Sequence, residues 1–197
     1  WVTDVTWTSS ELPDGNHTFF VKAIDNAGNE GEAGSINFSI SYYTSANEGD
    51  VVLNEVQYNP PQSDNDAAFE WIELFNTTDQ EIILRGWEIE DNFGCDELPS
   101  CTLPSNGYVI VAATRDGFFA NFPDFSGSIV FTLDGKIGNG LNNSGDRLIL
   151  RDGEGNLIDA LSYGSDNTIM EPPCQLVTEG HSLERCPVGA ANFIDNA

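Results

Sequence analysis

EWIELFNTTDQEIILRGWEIED, residues 70–91, is the stretch whose reading decides the fold. Successive side chains of a strand point to opposite faces, so Glu70, Ile72 and Leu74 share one face and Trp71, Glu73 and Phe75 the other. Apolar groups on both faces predict a central strand covered on each side, with its carboxylates at the rim or paired. Asn76 suits the strand end and Gly86 a turn. Outward from this stretch, strand-like segments recur at 51–58, 69–76, 80–91, 107–113, 128–133, 147–152, 156–163 and 181–186, punctuated by Gly, Pro and Asn clusters. No amphipathic helix of useful length interrupts them; DGFFANFPDF, residues 116–125, has room for one short turn. The expectation is an all-β chain folded as a β-sandwich.

Composition limits what such a sandwich can meet. The 197 residues carry seven Lys plus Arg against 32 Asp plus Glu, a formal net charge of −25. A surface of that sign repels phosphate backbones and anionic headgroups, which argues against nucleic acid and membrane surfaces as partners. Hydrophobic residues make up 40 % of the chain, with twelve Phe, five Tyr and four Trp, enough for a real core. No run of about 18 apolar residues is present to span a bilayer.

Residues 1–44 read separately, as a Trp-rich opening, the turn LPDGNH and two strands around HTFFVKAID and SINFSISYY. Phe19, Val21 and Ala23 alternate with Thr18, Phe20, Lys22 and Ile24, the pattern of a mostly buried strand. Ile36, Phe38, Ile40 and Tyr42 face one way in the next. Residues 45–50 form a polar linker, 51–190 the sandwich, and 191–197 a tail or the start of another linker. The first segment resembles the last strands of a bacterial Ig-like or fibronectin-type repeat, which implies an incomplete domain excised from a longer chain.

Three blocks carry a second resemblance: Val52-Leu53-Asn54-Glu55-Val56 before Glu70–Asn76 and Leu84-Arg85-Gly86-Trp87; Leu103-Pro104 before Gly107–Val111; and Asn143–Leu150 before Asp159, Tyr163 and Gly180–Arg185. Their order and spacing resemble the lamin tail domain family over about 135 residues. That resemblance implies an Ig-like sandwich used as a non-catalytic appendage beside Ig-like repeats and secreted hydrolase or nuclease domains. Arg85, Arg147 and Arg185 are three of the seven cations. At least one is expected to pair bidentately with Glu55, Glu73 or Glu184.

Chemistry is sparse. The two histidines, His17 and His181, are placed without a nucleophile partner, since His181 and Ser182 are adjacent and face opposite ways on a strand. No G-x-S-x-G, H-E-x-x-H or P-loop is present, and the reading is that this segment is not an enzyme. Four cysteines allow three pairings. Proximity favours Cys95–Cys101 and Cys174–Cys186, and disulfides imply an oxidising compartment, extracellular or at the cell surface. No cofactor is required, but Ca²⁺ suits the Asp, Glu and Asn oxygens clustered in the loops. Asp91 and Asn92 with Asp96 and Glu97, and Asp64 with Asp66, lead as metal ligands, ahead of Asp152 with Glu154 and Asp25–Glu30. None completes a D-x-[DN]-x-[DN]-G loop. The expected partners are neighbouring domains of the parent chain and a protein or polysaccharide at the cell surface, Phe118, Phe119, Phe122 and Phe125 being candidates for a glycan platform if exposed. Accessory service to a secreted hydrolase or nuclease, or a calcium-stabilised spacer, is the alternative.

Overall fold

The computed structural model describes residues 12, 13, 15–40, 46–62 and 64–196. It divides into two compact units, residues 1–42 and 43–197. In the first, β1 (Gly15–Val21) and β2 (Gly34–Ile40) form an antiparallel hairpin with His17 opposite Phe38. The sequence pattern predicts a mostly buried strand here. Instead Phe20 is 68 % exposed, and Val21, Ile24 and Ile36 are also exposed, because among the described residues two strands alone have no second layer to cover them. The Trp-rich opening and Tyr42 lie outside the described residues.

The second unit is a two-sheet sandwich. Its six-stranded sheet runs β10 (Ile129–Phe131), β9 (Tyr108–Ala112), β4 (Trp71–Asn76), β3 (Val51–Gln57), β13 (Ser182–Arg185) and β14 (Phe193–Asn196). The facing sheet runs β12 (Leu157–Gly164), β11 (Gly145–Arg151), β6 (Glu88–Glu90) and β7 (Cys95–Glu97). A short ladder of β5 (Ile82–Ile83) and β8 (Thr102–Leu103) completes it. Between the sheets Leu53, Val56, Ile72, Leu74, Val109 and Val111 meet Ile89, Leu148, Leu150, Leu161 and Tyr163 in one buried core, with Trp87 fully enclosed. β4 is central, as its two-sided pattern predicts: Ile72 and Leu74 face this core, while Trp71 joins Ile110, Ala112 and Phe118 in a second cluster.

Two departures have local causes. The single strand predicted over 80–91 is two, broken at Arg85–Gly86, where Gly86 takes φ 70°. The break sends Ile82–Ile83 to β8 and Glu88–Glu90 to the four-stranded sheet. The one turn foreseen in 116–125 is a helix, α1 (Arg115–Asn121), started by Thr114, whose side chain accepts from Gly117 N–H. It lays Phe118 on Trp71, ring centroids 6.2 Å apart and edge-on.

Candidate functional site

One end of the sandwich gathers acids by strand register. Glu70 enters β4 in phase with Ile72 and Leu74, Asp91 leaves β6 in phase with Ile89, and Asp146 begins β11 in phase with Leu148 and Leu150. All three are buried, Glu70 and Asp146 at 1 % exposure and Asp91 at 5 %. A loop from Ile137 to Asn142 closes over them and turns its amides down. Gly138 N–H donates to Asp96 Oδ2 (2.6 Å) and Asn139 N–H to Asp91 Oδ2 (2.7 Å). Leu141 N–H donates to both Glu70 oxygens (3.0 and 3.1 Å), and Asn142 N–H to Asp146 Oδ2 (3.0 Å). Asp91 Oδ1 also closes its own turn, accepting from Phe93 and Gly94. Backbone runs so close here that a Cβ on Gly138, at φ 60°, would lie 2.2 Å from Asp91 Cγ. Burial, with Asp66, Asp146 and Asp91 nearby and only the Leu141 amide opposing, pushes the Glu70 carboxyl up to about 9.

A groove of about 620 Å³ opens beside β11 and β12. Arg151, Arg185, Asp159, Ile169, Met170 and Phe193 are among its walls. Arg151 Nε donates to Glu90 (2.7 Å), and Arg185 Nη2 donates to both oxygens of Asp159 (3.1 and 2.8 Å). For Arg185 and Arg147 the expected arginine–glutamate pair is thus corrected. Arg185 takes Asp159 because both side chains lie where β12 meets β3, whereas Glu55 accepts from Ser182 Oγ and Asn196, and Glu73 from Asn54. Arg147 pairs with Asp166.

The structure therefore unites Asp91, Asn92 and Asp96 with Glu70 and Asp146, two acids that spacing alone does not single out; Asn92 N–H donates to Asp146 Oδ1 at 3.3 Å. Glu97 stands apart on the outer face of β7, opposite Glu88. Asp66 reaches Asn143 through its Oδ2, and Asp64 is exposed. Asp152 and Asp25 each close their own turn, accepting amides from Glu154 and Asn156 and from Ala27 and Asn29. Two alternation-based signals would have found the missed acids: Glu70 and Asp146 both continue the inward phase of an apolar strand.

All four cysteines are free in this structure, and neither expected disulfide is formed. Cys95 lies in β7 opposite Glu90, whereas Cys101 precedes β8, whose Thr102 lies opposite Ile83 in the separate β5–β8 ladder. Cys174 lies against β12 with its thiol directed to Met170 Sδ (3.7 Å), while Cys186 follows β13 in the other sheet and is exposed. Thiol titration of the unfolded, unreduced protein is expected to count four; a count of zero would restore both bridges. Cys95 Sγ and the Glu88 and Glu90 carboxylates come within 4.8 Å of one another, but Glu90 is engaged by Arg151.

No base–nucleophile pair forms at the histidines. His181 Nδ1 meets Asp195 Oδ1 at 2.7 Å while Ser182 turns to Glu55, and His17 contacts the Pro13 carbonyl. Of the phenylalanines in 118–125, Phe118 is buried, Phe119 and Phe125 pack against it, and Phe122, 40 % exposed, still meets the Trp71 and Phe118 rings. They form a packed end rather than a platform. No helix among the described residues is long and apolar enough to cross a membrane. A family model described as Lamin Tail Domain matches residues 44–165. No curated protein matches the chain.

Proposed function

The chain belongs to the lamin tail domain family, and from that premise we propose that it is a non-catalytic Ig-like module of an extracellular or cell-surface protein. It would link neighbouring domains and offer the β11–β12 groove to a polysaccharide or protein partner. The observation that carries this reading is the groove's lining. Two of only seven cations, Arg151 and Arg185, stand there beside Phe193 and Met170 on a chain of net charge −25. Arg185 is held by Asp159, and its guanidinium lies 4.5 Å from the Phe193 ring centre. Arg151 gives Nε to Glu90 and makes only a long contact to the Gly155 carbonyl (3.4 Å) with Nη1, which leaves donors for a ligand oxygen.

Acidic oligosaccharides such as oligouronates fit this lining better than neutral ones, because a carboxylate can pair with a guanidinium fork. Calorimetric titration with oligouronates is expected to give binding that Arg151→Ala weakens about tenfold, the loss of one charge-assisted contact. Equal binding by the variant, or none by the parent, would reduce the module to a spacer between domains.

A further inference from the structure

Alternation along β6 and β7 decides which side chains meet on the outside of the four-stranded sheet. Ile89 is buried in the core, so Glu88 and Glu90, on either side of it, point to the outer face. Residues directly opposite one another in a ladder share a face, and Glu88 stands opposite Glu97 and Glu90 opposite Cys95. One hairpin therefore turns three carboxylates and a thiol outward on two rungs. Like charges directly across a ladder repel. β11 answers them with a single guanidinium, that of Arg151, which stands opposite Glu88 and pairs with Glu90. The face is left short of positive charge.

Three of the donors converge. Cys95 Sγ and one oxygen each of Glu88 and Glu90 all lie within 4.8 Å of one another. Donor atoms on a tetrahedral zinc ion, with bonds of about 2.0–2.3 Å, stand about 3.3–3.8 Å apart, so side-chain rotation of about 1 Å closes the set. Arg151 Nε holds Oε1 of Glu90 and leaves the other oxygen for an ion. A ligating carboxylate held by such an outer hydrogen bond is oriented rather than blocked. The field agrees with the geometry: desolvation, then the charges of Glu88 and Glu90, pushes the Cys95 thiol up to about 11, so both carboxylates act on the sulfur. The hairpin beneath is fixed before any ion arrives. Asp91 Oδ1 accepts from Phe93 and Gly94 in its turn, and a Cβ on Gly94 would lie 2.4 Å from the Gly138 backbone.

We propose that Glu88, Glu90 and Cys95 bind one Zn²⁺ on the outer face of the β6–β7 hairpin, with water as the fourth ligand. The mixed donor set selects the ion. A thiolate disfavours calcium and magnesium, whereas thiolate with carboxylates suits the borderline-soft zinc. On binding, the Cys95 S–H bond breaks; its proton goes to solvent and its electron pair forms the Zn–S bond. The ion ties the edge strand β7 to β6 and supplies the charge that this face lacks.

The test is calorimetric titration of the reduced, chelator-stripped chain with ZnCl₂ in physiological NaCl, with melting followed in parallel. Co²⁺ in place of zinc reports sulfur ligation through a thiolate-to-metal charge-transfer band. One zinc per chain, a raised melting temperature and the cobalt band are expected. Cys95→Ser should abolish the band and weaken zinc about tenfold or more, and Glu88→Gln should weaken it about tenfold. Cys101→Ser should leave both unchanged. Cys95 is exposed and Glu88 half-buried, so neither substitution opens the core, and melting of the metal-free variants checks this. A flat wild-type isotherm would overturn the proposal. So would a cobalt band that survives Cys95→Ser, or wild-type zinc affinity in both Cys95→Ser and Glu88→Gln, which would put the ion on other surface acids.

Discussion

Arg185→Ala is expected to cost about 3–5 kcal/mol, the penalty for leaving a buried charge without its partner. Arg185 is 7 % exposed and each nitrogen has an acceptor. Nε donates to the Leu53 carbonyl (2.9 Å), Nη1 to the Ala190 carbonyl (2.5 Å), and Nη2 to Asp159. Asp159 in turn accepts the Leu53 amide at 2.8 Å, so the pair stitches β13 to β3 and β12. Burial raises the Asp159 carboxyl even against the pull of Arg185. Desolvation therefore already outweighs attraction, and losing the cation exposes the whole of it. Urea unfolding followed by far-ultraviolet circular dichroism measures the change. Replacing both partners, as Arg185→Met with Asp159→Leu, should recover much of the loss because no orphaned charge is left. A single-variant loss below about 1 kcal/mol would mean that water reaches the pair.

Trp87→Ala is expected to cost a similar amount, about 3–5 kcal/mol, through lost transfer energy and the cavity left behind. The ring is fully buried among the residues that join the two sheets, and its backbone carbonyl accepts from Leu98 N–H at 2.7 Å. The strands on either side of it are pinned to β7 and β8, which limits how far the site can collapse. Thermal and urea midpoints check the value, and a loss below about 1 kcal/mol would place the ring outside the core. Trp71, by contrast, belongs to the smaller cluster beneath α1.

Much of the sandwich is legible without coordinates. Period-two alternation locates β3, β4, β9, β11 and β12 to within a residue or two, since each buries one or both faces. It fails where a strand is too short to show a period. β7 and β8 hold three and two residues, and β14 lies in a stretch that reads as tail. It misleads at the β1–β2 hairpin, where an apolar pattern reports what a strand prefers to cover rather than what covers it.

The candidate site divides along the same line. Asp91 and Asp96 announce themselves as loop acids, yet their partners lie at 138 and 139 in the chain. Glu70 and Asp146 look like strand acids, and only the closure of the sandwich sets them together behind one loop. Cysteine spacing suggested two bridges that this structure does not form.

The sequence by itself determined an all-β class, the central position of β4, the acidic surface and the family, because these rest on alternation, charge and motif order within the chain. Tertiary structure decided which charges are buried, which arginine meets which acid, and where a thiol meets two carboxylates. Those depend on residues brought together across separate strands, and desolvation takes its value only once both sheets have closed over them.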